Sequence, residues 1–98
     1  MASKRSSSAV TRPGKTILEV ALTIIAKSGN EAMAPSEIAD AAIERGLLRV
    51  PRGRTVQYVD QLLQSTLYDN AFYAAKPSVY RAQHGRYKAH RQALRRIG

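Results

Sequence analysis

The sequence predicts a mainly α-helical body closed by one small β hairpin. Apolar residues recur at helical spacing in three stretches before residue 74, and an alternating pattern around a glycine turn follows Pro77. Cap and stop residues fall between these stretches. Ninety-eight residues make one domain, and 44% hydrophobic content supplies a modest core.

Residues 1–15 are small, polar and basic, with nothing to bury, and read as a disordered tail. Thr16-Ile17-Leu18-Glu19 then has the form of a capping box. At about 100° per residue, Ile17, Leu18, Val20, Ala21, Leu22, Ile24 and Ile25 cover an arc of roughly 200°, so the first helix is mostly buried until Ser28-Gly29-Asn30 stops it. A short extended piece, Ala32-Met33-Ala34, leads to Pro35, which suits a first helical position. Ile38, Ala39, Ala42 and Ile43 give the second helix its stripe, and Gly46 ends it; Ala34 offers no capping oxygen. Leu47-Leu48 dips into the core, and a cationic loop, Arg49 to Arg54, follows.

Thr55 is the expected cap of a third helix running to about Tyr73. Its apolar face holds Val56, Val59, Leu62, Leu63, Leu67 and Tyr73, and the opposite face holds Gln57, Gln61, Gln64 and Tyr68. Val79-Tyr80-Arg81 and Arg86-Tyr87-Lys88 flank Ala82-Gln83-His84-Gly85 as a hairpin, with Tyr80 and Tyr87 expected as a cross-strand pair on the core and His84 as a turn residue. Phe72 falls on the polar side of the third helix, where it is expected to cover the base of the hairpin; an exposed Phe72 points to a partner surface. Helix, short strand, helix, helix, hairpin is the order of a winged helix-turn-helix: three helices plus a wing. Residues 16–90 form that domain, and residues 91–98 are a basic stretch read as a tail, with helix formation left open.

Charge is segregated. Residues 1–15 carry a balance of +4, residues 16–48 of −3 and residues 49–98 of +8, giving +9 for the chain. One cationic surface on a small body most often meets nucleic acid. There is no cysteine and only two histidines, His84 and His90, so metal and triad chemistry lack material. No paired carboxylates, glycine-rich phosphate loop or metal spacing points to catalysis, and no cofactor or small-molecule substrate is expected. The longest apolar stretch, Ile17 to Ala26, is far short of the roughly 20 residues of a membrane span. The basic start has a faint transit-peptide composition, outweighed by a plain solvated tail. An intracellular setting, in a nucleoid-bearing cytoplasm or a nucleus, follows as the expectation.

Four pieces carry a family likeness: Met33-Ala34-Pro35-Ser36-Glu37-Ile38, Ala42-Ile43-Glu44-Arg45-Gly46-Leu47-Leu48, Leu63-Gln64-Ser65-Thr66-Leu67-Tyr68, and Ser78-Val79-Tyr80-Arg81 with Gly85-Arg86-Tyr87. In this order the chain resembles the HARE-HTH winged-helix family, found in additional-sex-combs-like chromatin proteins, the delta subunit of bacterial RNA polymerase and some restriction endonucleases. Together the four pieces span about residues 16–90. Ala34 replaces the usual hydroxyl cap, and the approach to the third helix is slightly longer. The resemblance implies a nucleic-acid or chromatin-linked role without catalysis, and some members mainly bind proteins.

The candidate binding residues follow from helix order and charge. Gln57, Gln61 and Gln64, with Tyr58 beside them, face a major groove; glutamine amides can pair with adenine edges, and the alternative is a solvated face. The third helix has no Lys or Arg, and Asp60 and Asp69 on its flanks read as structural. Arg49, Arg52 and Arg54 before the helix, and Arg81, Arg86 and Lys88 on the hairpin, would clamp the phosphate rims. Lys4, Arg5, Arg12 and Lys15 on one tail, and Arg91, Arg95 and Arg96 on the other, would add phosphate contacts. Double-stranded DNA is the expected partner; a protein adaptor of a transcription or chromatin complex and a structured-RNA binder are the alternatives.

Overall fold

A computed structural model describes residues 10, 11 and 15–97. Within them lie four helices, α1 (Ile17–Lys27), α2 (Pro35–Glu44), α3 (Val56–Tyr73) and α4 (Arg91–Ile97), and one antiparallel hairpin, β1 (Val79–Gln83) and β2 (Arg86–Ala89).

Local chemistry sets the helix ends. The Thr16 hydroxyl accepts from Glu19 N–H at 3.1 Å and the Glu19 carboxylate accepts from Thr16 N–H at 2.9 Å, so the capping box forms. At the far end Gly29 N–H donates to Ala26 O and Asn30 N–H to Ile25 O, closing the last turn. α2 opens on Pro35, and the Glu37 carboxylate takes the Ala34 N–H at 3.0 Å, which supplies half of a capping box that Ala34 cannot complete. Gly46 has φ +76°, and Leu47 N–H reaches back to Ala42 O at 2.8 Å; this left-handed turn drives Leu48 inward to 2% exposure.

Thr55 holds the position before α3, but its hydroxyl makes no capping bond, contrary to expectation. Tyr58 N–H, the natural target, is already taken by the Thr55 carbonyl at 3.0 Å. Val59, Leu63 and Leu67 are fully buried, with Leu62 partly so. Val56 and Tyr73 are not on the buried face as expected; they stand 44% and 75% exposed. Val56 and Tyr73 lie outside the stretch from Val59 to Leu67 that holds the buried residues of α3.

The hairpin pairs Tyr80 with Lys88 and Arg81 with Tyr87, with an irregularity between Arg81 and Gln83. Tyr80 and Tyr87 are therefore not a cross-strand pair. Alternation puts them on opposite faces. Tyr87 is buried at 3%, while Tyr80 lies outside against the His90 ring, 4.8 Å between centroids. Met33 exchanges both backbone bonds with Tyr87 at 2.9 Å, so the extended piece before α2 adds a one-residue rung to the sheet. Two asparagines fasten this sheet. Asn70 on α3 accepts from Ser78 N–H (2.7 Å) and Val79 N–H (3.0 Å), and the Asn30 amide both donates to and accepts from the Ala89 backbone at 3.1 and 2.9 Å.

The folded body extends beyond residues 16–90. α4 packs on α1 with Ala93 1% exposed, so the C-terminal stretch is a docked helix rather than a tail. Val10 is 1% exposed and its carbonyl accepts from Arg49 N–H at 3.0 Å, with Thr11 bridged to Leu48, so these two residues also belong to the body. An isolated valine in a polar segment has no periodicity to betray it.

The Arg86 guanidinium grips Glu37 at 2.7 and 3.2 Å and donates to Ala32 O at 3.2 Å, tying β2 to the start of α2. The Ala34 N–H and Arg86 together hold the Glu37 carboxyl below its ordinary range. A lowered folded-state pKa contributes stability above the unfolded pKa and loses it as pH falls through the folded value. Glu37→Gln keeps an acceptor for Ala34 but removes the charge. Thermal melts should show it less stable at neutral pH by less than about 1 kcal/mol, since both side chains are near half exposed, with the difference vanishing in acid.

Candidate nucleic-acid interface

On α3, Gln57, Gln61 and Gln64 are all exposed on one line. Tyr68 and Phe72 continue that line, so it changes from amides to aromatic rings toward the C-terminus. Tyr68 stacks on Phe72 at 4.6 Å and lies 6.2 Å from Tyr73, centroid to centroid. Phe72 meets the hairpin through Arg81 but stays 47% exposed, so it covers the hairpin base only in part.

Each end of the line carries an arginine braced by a ring. The Arg54 guanidinium lies 4.7 Å over Tyr58, and that of Arg81 lies 5.2 Å over Phe72. Arg54 gets there through a turn in which its N–H bonds Pro51 O at 3.0 Å and Gly53 takes φ +81°. The space where a Gly53 side chain would sit is empty, so the glycine serves the turn by its backbone and not by relieving a contact. Arg52 is exposed in the same turn, and Arg49 is exposed where its backbone meets Val10.

The structure separates the three hairpin cations expected to act together. Arg81 shares the face of Tyr87 and reaches α3, while Lys88 shares the opposite face with Tyr80. Arg86 is occupied by Glu37, because the Met33 rung brings the start of α2 against β2. Arg91 and Arg95 are exposed on α4, and Lys15 is exposed before α1, its carbonyl bonded by the Thr11 hydroxyl. Lys4, Arg5 and Arg12 lie outside the described residues, as does the side chain of Arg96. His84 is exposed in the hairpin turn.

Sequence reasoning missed the two bracing rings, because which arginine reaches which ring depends on loop and strand geometry. It also read Asn30 only as part of a helix stop and did not single out Asn70. A buried-side asparagine near a strand start is the signal that could have found Asn70.

Asp60 has one carboxylate oxygen buried without a hydrogen-bond partner among the described residues. Burial raises its pKa, and the Asp40 charge adds to the rise. A raised folded-state pKa means that stability falls as pH climbs from the unfolded carboxylate value through the folded one. Asp60→Asn should therefore raise the melting point at neutral pH, by up to about 1 kcal/mol in stability, with no gain in acid.

No described helix is long and apolar enough to cross a membrane. Comparison with known proteins found no matching family model, no matching curated protein and no matching solved structure.

Proposed function

We propose that this chain is a small, non-catalytic winged-helix protein of the HARE-HTH kind that binds double-stranded DNA, with α3 over the major groove. The order of elements and the Met33 rung beside the hairpin support the winged-helix reading. The observation that carries the function is the polar line of α3 bounded by two ring-braced guanidinium groups. Tyr58 and Phe72 are fourteen residues apart, about 21 Å along a helix axis. That spans a major groove about 12 Å wide and leaves each arginine near a phosphate rim. With Arg52 and the four N-terminal cations added, roughly 6–8 phosphates are met, and a plot of log affinity against log salt should have a slope near −5 to −7. Titration of a 25-bp random duplex across a salt series checks this. A flat slope, or duplex RNA outcompeting DNA, removes the reading.

A second reading has its own support. Tyr68, Phe72 and Tyr73 are 42%, 47% and 75% exposed and adjoin one another, an aromatic patch of the kind that anchors a protein partner. Under this adaptor reading, Arg81→Glu leaves duplex affinity unchanged. Under the DNA reading it weakens it.

A further inference from the structure

We infer that the outer face of the hairpin and α4 form a second phosphate-binding groove, which takes a second DNA duplex while α3 holds the first. This rests on the duplex-binding reading above. Side chains alternate across a hairpin, so Arg81 and Lys88 leave the same two strands in opposite directions. Arg81 joins the α3 surface through Phe72. Lys88 lines a groove with Tyr80, His90 and Arg91, and past His90 and Arg91 a second hollow continues to Lys76.

No acidic residue lines either stretch. Residues 70–98 hold seven Lys and Arg and no Asp or Glu at all. Of these seven, Arg86 alone is in a salt bridge among the described residues, and it stands apart from the groove. Lys76, Lys88 and Arg91 thus concentrate positive potential along one concave path, which suits a ligand of repeating negative charge. The Asn30 amide is already bonded to the Ala89 backbone, and Tyr80 and His90 meet ring to ring. With Pro77, Gln92 and Leu94 they wall the groove, and Lys76, Lys88 and Arg91 are its charged contacts. The rows of phosphates on a duplex match such a path, whereas a protein partner would ask for an unoccupied apolar or aromatic anchor. Two basic faces on opposite sides of one hairpin make a bridge between two duplexes.

The test uses the full chain. A biotinylated 25-bp duplex on beads is loaded with protein and washed, and a fluorescent second duplex is added. Affinity for a single duplex is measured in parallel by anisotropy. Wild type should capture the second duplex, with capture lost at high salt. The pair Lys88→Glu with Arg91→Glu should cut capture by about tenfold or more while single-duplex affinity falls far less. Lys76→Glu, in the loop before β1, gives an independent second variant, and thermal melts confirm that each is folded. Wild type that binds one duplex but captures no second one overturns the inference and leaves the duplex-binding reading standing. Capture undiminished in the folded variants also overturns it, since bridging would then run through contacts between protein chains. Failure to bind the first duplex at all is a failure of the earlier reading, and this one falls with it.

Discussion

Replacing Arg54 and Arg81 together with alanine should lower duplex affinity by about two orders of magnitude at low salt. A hydrogen bond to a charged group contributes about 1.5–3 kcal/mol, and about 1.4 kcal/mol is tenfold in affinity, so each arginine accounts for tenfold or somewhat more. The salt slope should fall in magnitude by about 2, one for each phosphate left without its arginine. The weakening should be the same on every sequence, because the proposed binding mode sets both groups against the DNA backbone. Arg86→Ala is the control: its guanidinium is held by Glu37 and Ala32, so its removal should cost stability more than affinity. Gln57→Ala and Gln61→Ala should shift sequence preference rather than overall affinity. Unchanged affinity and slope in the double variant would place the duplex elsewhere or remove it.

The largest effect on stability is expected at Leu63. It is fully buried midway along α3, the helix that packs on α1, α2 and β1. Leu63→Ala should cost about 3–4 kcal/mol, the sum of the forfeited transfer energy and the cavity left behind. A domain of this size has about 5–15 kcal/mol in all. At about 4–8 °C per kcal/mol the midpoint should fall by roughly 12–30 °C. Leu62, the next residue, is only partly buried, and Leu62→Ala should cost about a third as much. Thermal unfolding followed by circular dichroism separates the two. Equal destabilisation at both positions would mean that α3 is rotated from the orientation described.

Much of the secondary structure was legible because its causes are local. The Thr16–Glu19 box, the Pro35 start and the Gly46 stop each act within one turn of chain, and each formed where the residues predicted. The α3 stripe was legible for the same reason, since a period of 3.6 puts Gln57, Gln61 and Gln64 on one line whatever lies beneath. Thr55 shows the limit even of local reasoning, because its own carbonyl already accepts from the amide that its hydroxyl would have capped.

The candidate site was less legible. Hairpin cations close in sequence were grouped together, and strand register divided them: Arg81 to α3, Lys88 to the outer face and Arg86 to Glu37. A shift of one residue in register exchanges the faces, so side-chain grouping on a strand is fixed only when its partner is. Phe72 and Tyr73 were misplaced because a helix period gives direction but not how far the packing partner extends.

By itself, then, the sequence determined where the first three helices begin and end, which line of α3 carries amides, and how strongly positive the second half of the chain is. Those properties depend on residues within a turn or two of one another, or on none but their own charge. Tertiary structure decided that Val10 and Ala93 enter the core, that Asn30 and Asn70 fasten the sheet, and which arginines remain available to a ligand. Arg86 meets a carboxylate 49 positions away, and Asn30 meets a backbone 59 positions away. Pairings at such separations exist only once the helices have buried their apolar faces and brought the strands into register, so no short stretch of residues can announce them.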